Sequence, residues 1–109
     1  MKLTNKDYAI ILEFYNIPLK DLKKNKIMAE TILATKLCRC IKKVKQLYKK
    51  SEKESIGICN KSIFKNRNLK YYKFSCNKNY QLKENKKTKK KLLKLSSKLK
   101  FKKSKKNYN

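Results

Sequence analysis

A chain of 109 residues has room for one domain, and its 33 Lys and Arg against 7 Asp and Glu leave a formal net charge of +26. With no His, a Ser-His-Asp triad, a Cys-His dyad and a His-ligated metal are all excluded; with one Gly, so are the common phosphate-cradling loops. So much positive charge repels itself unless something anionic is near, which points to a partner class rather than to a reaction.

In chain order, Thr4-Asn5-Lys6-Asp7 has the Ser/Thr-x-x-Asp/Glu form of a helix cap ahead of an apolar run. Tyr8, Ile11, Leu12 and Tyr15 follow at helical spacing, so a first helix is predicted from about Asn5 to Tyr15. Pro18 ends it, because the residue before a proline avoids the helical region. Leu19 to Lys24 fits a turn or a helical piece equally well. The strongest element is predicted from a cap at Asn25 to about Lys49. Leu33, Leu37, Cys40, Ile41, Val44 and Tyr48 share one face of it, and Thr35, Arg39, Lys42, Lys43 and Gln46 share the other.

Lys49 to Ser55 reads as a loop, and Ile56-Gly57-Ile58-Cys59 as a short strand. Asn60 can cap one turn through Phe64. Asn66-Arg67-Asn68 reads as a turn, because Asn tolerates left-handed geometry. Lys70 to Cys76 alternates like a strand, with Tyr72, Phe74 and Cys76 on one side. The two strand candidates pair as a small antiparallel ribbon, bringing Cys59 near Cys76.

The composition then changes. Residues 1–76 hold 19 basic and 6 acidic residues, whereas residues 77–109 hold 14 Lys and only Glu84. The expected fold is therefore α+β: a small domain of two or three helices plus a short antiparallel β-ribbon over residues 1–76. A flexible, Lys-rich, low-complexity tail over 77–109 follows it. Within the tail Leu92, Leu95 and Leu99 are spaced to form an amphipathic helix on a partner. The apolar run from Tyr8 to Leu12 is interrupted by Glu13 and is too short for a signal-peptide core or a membrane span. The expected setting is a virion, a host cytoplasmic viral factory or the nucleus, with the chain neither secreted nor transmembrane.

Cys38, Cys40, Cys59 and Cys76 are the residues able to carry special chemistry. In a reducing compartment they are expected as thiols or metal ligands rather than disulfides. Four Cys is the number for a structural zinc, and so small a domain would gain from such a clamp. Against zinc, Cys38 and Cys40 lie about 200° apart around a regular helix, and the spacing lacks paired C-x-x-C units. The favoured expectation is an unbroken helix, Cys40 in the core and no cofactor. If zinc binds, its ligands are Cys38, Cys40, Cys59 and Cys76.

Three short motifs also carry a resemblance. Leu37-Cys38-Arg39-Cys40-Ile41-Lys42-Lys43, Ile56-Gly57-Ile58-Cys59-Asn60-Lys61-Ser62 and Lys73-Phe74-Ser75-Cys76 resemble a family of small basic four-cysteine proteins encoded by large nucleocytoplasmic DNA viruses of protists and algae. The resemblance covers roughly Ala29 to Lys78. The family often has Thr where Asn60 stands and Gly near Asn68. No activity is established for it, so the resemblance implies a viral setting and association with DNA, and nothing catalytic.

The function expected is non-enzymatic nucleic-acid binding, DNA favoured over RNA, in condensation or packaging. Of the 33 basic residues 31 are Lys, a point charge suited to phosphates more than to bidentate base reading. The expected contacts are Lys36, Arg39, Lys42 and Lys43 on the long helix, Arg67, and Lys86, Lys87, Lys89, Lys90 and Lys91 in the tail. Tyr71, Tyr72 and Tyr80 interleave with lysines and are candidates to stack on unpaired bases. A different class, a protein-interaction module in virion assembly or transcription with a charged tail, would be favoured by an exposed apolar groove around Tyr8, Ile11 and Tyr15. Peripheral membrane binding by Leu92–Phe101 is the least favoured. No small-molecule substrate is expected.

Overall fold

A computed structural model describes residues 1–101. Three helices, α1 (Asn5–Phe14), α2 (Leu22–Tyr48) and α3 (Glu52–Ile63), are followed by a single 3-10 turn (Lys65–Arg67). Four three-residue strands complete the fold: β1 (Leu69–Tyr71), β2 (Lys73–Ser75), β3 (Gln81–Lys83) and β4 (Leu92–Lys94). The class is α+β. No helix among the described residues is long and apolar enough to cross a membrane.

Local chemistry explains each helix start. Thr4 accepts from the Asp7 amide while Asp7 accepts from the Thr4 amide, a reciprocal capping box. In α2 the cap is Asp21, which accepts from the Lys24 amide, not Asn25. Asn25 lies buried inside the helix, and its side chain accepts from the Lys20 amide at 2.7 Å, tying down the loop after Pro18. Helix α3 replaces the expected loop and strand. Ser51 and Glu54 form a second capping box, and Ile56, Cys59 and Ile63 then fall on one inward face. A Cβ at Gly57 would meet nothing within 4 Å, so no close packing demands glycine there, and the residue weakens the helix without interrupting it.

Leu33, Leu37, Ile41 and Val44 of α2 are buried between Ile11 and Leu12 of α1 and Cys59 and Ile63 of α3. At the end of α2 the stripe outruns the core, and Tyr48 is 67 % exposed. Asn68 closes the 3-10 turn in the left-handed region (φ 62°), as its residue type permits. Its side chain donates to Ser96 Oγ and to the Lys98 carbonyl.

The strand region departs furthest from expectation. The run from Lys70 to Cys76 divides at Tyr72 into β1 and β2, and each half takes its partner from beyond Cys76. β1 pairs antiparallel with β4, Lys70 opposite Leu93, and β2 pairs antiparallel with β3, Phe74 opposite Leu82. The compact unit therefore does not stop at residue 76. Leu82 and Leu92 are buried in the common core, and Leu99 and Phe101 pack against it. Leu92 thus belongs to a strand rather than to a free amphipathic helix. The rest of the expected tail, 102–109, lies outside the described residues.

One polar contact anchors this region. Lys94 Nζ donates to Asp7 Oδ2 at 2.8 Å, with both side chains about one-tenth exposed or less, and also to the Ser97 carbonyl. Burial pushes the Asp7 carboxyl up, but hydrogen bonds from Lys94 and Thr4 outweigh it and hold the group below its ordinary value. Beside this pair the Met1 and Lys94 backbones bond each other in both directions at 2.9 Å.

Candidate nucleic-acid interface

The cysteines form two disulfides, Cys38–Cys76 and Cys40–Cys59, with Cα atoms 5.6 and 5.8 Å apart. This corrects the expectation of thiols or metal ligands. α2 does run unbroken through the motif, and so Cys38 and Cys40 point to different sides. Cys38 reaches the end of β2, and Cys40, half-buried rather than central to the core, reaches α3. Cys59 lies on a helix and is joined to Cys40, not placed beside Cys76 on a ribbon. All four sulfurs are consumed, so Cys38, Cys40, Cys59 and Cys76 are not a zinc set. No group of three or more His, Cys, Asp or Glu among the described residues is arranged to hold a metal.

The basic residues singled out from sequence divide into three places. Lys36, Arg39 and Lys43 recur on α2 at spacings of three and four, so they stack along one face. With Tyr15, Leu47 and Tyr48 they line a groove of about 490 Å³ between the helices. All three cations are exposed, and no carboxylate lines the groove. Lys42 is exposed too, but it lines a different hollow, with Lys45, Glu52, Tyr80 and Lys83 beside the Cys38–Cys76 bridge. Leu37, Ile41 and Val44 face inward as the stripe predicts.

Arg67 sits at the end of the α2 groove, but its guanidinium is already engaged. It lies between the Phe14 and Phe101 rings, 4.8 and 5.0 Å from their centroids. It also donates to Tyr15 Oη at 3.0 Å and to the Ile63 carbonyl. This half-buried Arg holds Phe101 against α1 by cation–π packing and leaves Lys36, 5.4 Å over the Tyr15 ring, as the freer charge at that end of the groove. Burial pushes the Tyr15 hydroxyl up, and Arg67 acts against that shift.

The third place is the turn between β3 and β4, which carries Lys86, Lys87, Lys89, Lys90 and Lys91. The turn has a defined shape. Asn85 accepts at its side chain from the Lys87 and Thr88 amides and bonds through its backbone to Lys89 and Lys90; Lys89 takes a left-handed φ of 56°. Lys89, Lys90 and Lys91 face Lys23 and Lys26 of α2 across a second groove, while Lys86 lies with Lys73 and Lys83 on the β2–β3 side. Sequence reading missed Lys23 and Lys26. No local signal marks them, because they face the turn only once it has folded onto α2.

The aromatic candidates differ in use. Tyr71, half-buried, packs edge-on between Phe64 and Phe74 against the core, and burial pushes its hydroxyl up. Tyr72 is half-buried under Lys70, and Tyr80 is exposed. Around α1, Tyr8 and Ile11 are buried and Tyr15 is half-buried; Tyr8 and Tyr15 line separate grooves. Comparison of the chain with protein-family models, curated proteins and solved structures finds no match.

Proposed function

We propose that this protein binds nucleic acid without catalysing a reaction on it. It meets phosphates largely without sequence specificity and serves a viral DNA-associated role such as condensation or packaging. The observation that carries this reading is how little of the charge is neutralised internally. Among the described residues only Lys24, Lys45 and Lys94 have a carboxylate within 4.0 Å. Two of the seven acids, Asp7 and Glu30, are buried, so the surface is more one-sided than the composition. Such a surface attracts a polyanion over long range and releases its counterions on contact.

The surface Lys36, Arg39 and Lys43 and the Lys86–Lys91 turn supply the phosphate contacts, and Lys42 extends them. Both disulfides agree better with a virion than with a reducing cytosol. Electrophoretic titration with duplex DNA, single strands and RNA, at two salt concentrations, tests the reading. All three should shift at low salt, duplex DNA at the lowest protein concentration, and all should weaken at the higher salt. Failure to shift any of them at low salt removes the proposal.

A further inference from the structure

The groove between the start of α2 and the Lys89–Lys91 turn has a feature that attraction to phosphate does not explain. Glu30 lies at its wall, 7 % exposed, and neither an ion pair nor a hydrogen bond engages its carboxylate among the described residues. Buried polar groups in folded proteins are almost always satisfied, and a buried carboxylate without a donor is costly. Burial pushes the Glu30 carboxyl up while the charges of Lys91 and Lys26 pull it down. Tyr8 lies beside it with its hydroxyl pushed up to about 12 by burial, by Glu30 and by Asp7. The lysines are thus near enough to act on Glu30 but do not cap it.

The walls narrow what fits. The cavity is about 310 Å³, at the small end of ligand sites. Lys2, Lys23, Lys26, Lys89, Lys90 and Lys91 line it, with Glu84 the one acid besides Glu30, and six cations against two carboxylates call for an anionic group. Ile27, 58 % exposed, and buried Leu92 supply apolar ledges for a flat ring. The ligand must therefore join an anion, a planar apolar face and hydrogen-bond donors for a carboxylate that only accepts. Among the common nucleobases guanine alone presents two adjacent donors on its pairing edge, N1–H and N2–H, spaced for the two oxygens of a carboxylate. Adenine and cytosine set one donor beside an acceptor, and uracil and thymine set one donor between two acceptors.

We propose that this groove takes a guanine base joined to a phosphate, with Glu30 accepting from N1–H and N2–H and the surrounding lysines holding the phosphate. The inference rests on the nucleic-acid reading for its ligand class and adds one base preference to binding otherwise led by phosphates. The guanine comes from an unpaired position of a strand or from a free guanine nucleotide, since both carry the same groups.

The test uses the full oxidised chain and compares GMP with IMP, which lacks only the exocyclic amine. A second arm compares a single-stranded oligothymidylate carrying one central deoxyguanosine with the same strand carrying deoxyinosine. GMP is expected to bind about tenfold more tightly than IMP, the scale of one hydrogen bond to a charged group. In Glu30→Gln, whose amide turns a donor toward the base, the two should converge to within about twofold. Discrimination between the strands with none between the nucleotides assigns the source to a strand, and the reverse assigns it to free nucleotide. Equal binding of guanine and inosine forms in both arms overturns the proposal whether or not the variant folds. Discrimination that survives intact in a folded Glu30→Gln protein overturns it as well. If both strands bind equally and salt-dependently and GMP binds no better than IMP, the groove assignment falls and the nucleic-acid reading stands; if neither strand binds while GMP still exceeds IMP, the groove assignment stands and the nucleic-acid reading falls.

Discussion

The helices and the strands of this protein hold their places by different means. Each helix carries its own instructions: a side-chain cap, an apolar stripe and enough length to bury it. The four strands are three residues each, far below what an isolated hairpin needs to persist. They are held from outside by the Cys38–Cys76 bridge to α2, by Lys94 on Asp7 at the start of α1, and by Leu82 and Leu92 in the helical core. The difference teaches that a Lys-rich segment can be ordered by a few long-range attachments. The lysines between those attachments then stand at fixed places on the surface.

Removing the attachments breaks this comparison most severely. A chain ending at Cys76 loses β3, β4, Leu82 and Leu92 and leaves Asp7 buried without its cation. The expected result is loss of a cooperative melting transition by circular dichroism. A cooperative melt like that of the whole chain would show that the helices suffice.

Asp7→Asn is the next largest. It leaves the Lys94 ammonium buried and unpaired, and should cost about 3–5 kcal/mol in chemical denaturation. The same contact sets a pH dependence. The carboxyl is held below its ordinary value of 3.8, so its contribution is complete above that value and is lost as pH falls through the lowered folded value. Asp7→Asn should flatten the acid limb of stability against pH, and an unchanged limb would place the acid sensitivity elsewhere.

Opening one disulfide at a time sharpens the comparison. Cys38–Cys76 spans 38 residues and Cys40–Cys59 spans 19, so loop entropy assigns them about 4 and 3 kcal/mol. The paired Ser variants should differ more in location than in size. Loss of Cys38–Cys76 should speed amide exchange across 69–94, whereas loss of Cys40–Cys59 should act on α3. Exchange changes that coincide in the two variants would mean that strands and helices open as one unit.

The smallest expected effect on stability comes from Arg39→Ala, Lys42→Ala and Lys43→Ala together. All three are exposed, so denaturation should move by about 0.5 kcal/mol or less. Nucleic-acid affinity should fall and its salt dependence should shallow, by nearly one power of salt for each phosphate the variant no longer neutralises. Because Lys42 faces a different hollow from Arg39 and Lys43, it should contribute least. Unfolding with binding intact would mean that the outer face of α2 does structural work.

Much of the helical part was legible because its signals are local. Thr4 to Asp7 announced α1, and the Leu33–Val44 stripe announced α2 to within a few residues of either end. For α3 the signal was present and outweighed: Ser51-Glu52-Lys53-Glu54 is a capping box, but Ile56-Gly57-Ile58 has strand composition, and tertiary burial of Ile56 and Cys59 decided the matter. The strand partners were not legible, since nothing near Leu82 or Leu92 says that Phe74 and Tyr71 lie opposite them. Nor was Lys94, one Lys among many, whose role depends on Asp7 across 87 positions. For the candidate surface, periodicity correctly put Arg39 and Lys43 outside. Glu30 was passed over because its burial and lack of a partner exist only once the β3–β4 turn folds onto α2.

The central claim, that this surface works by attracting a polyanion, is tested most directly by the affinity of the full chain for duplex DNA over a series of salt concentrations. With about eight lysines on phosphates, log K should fall linearly with log salt at a slope near −7. Binding that is insensitive to salt, or absent at low salt, would contradict it.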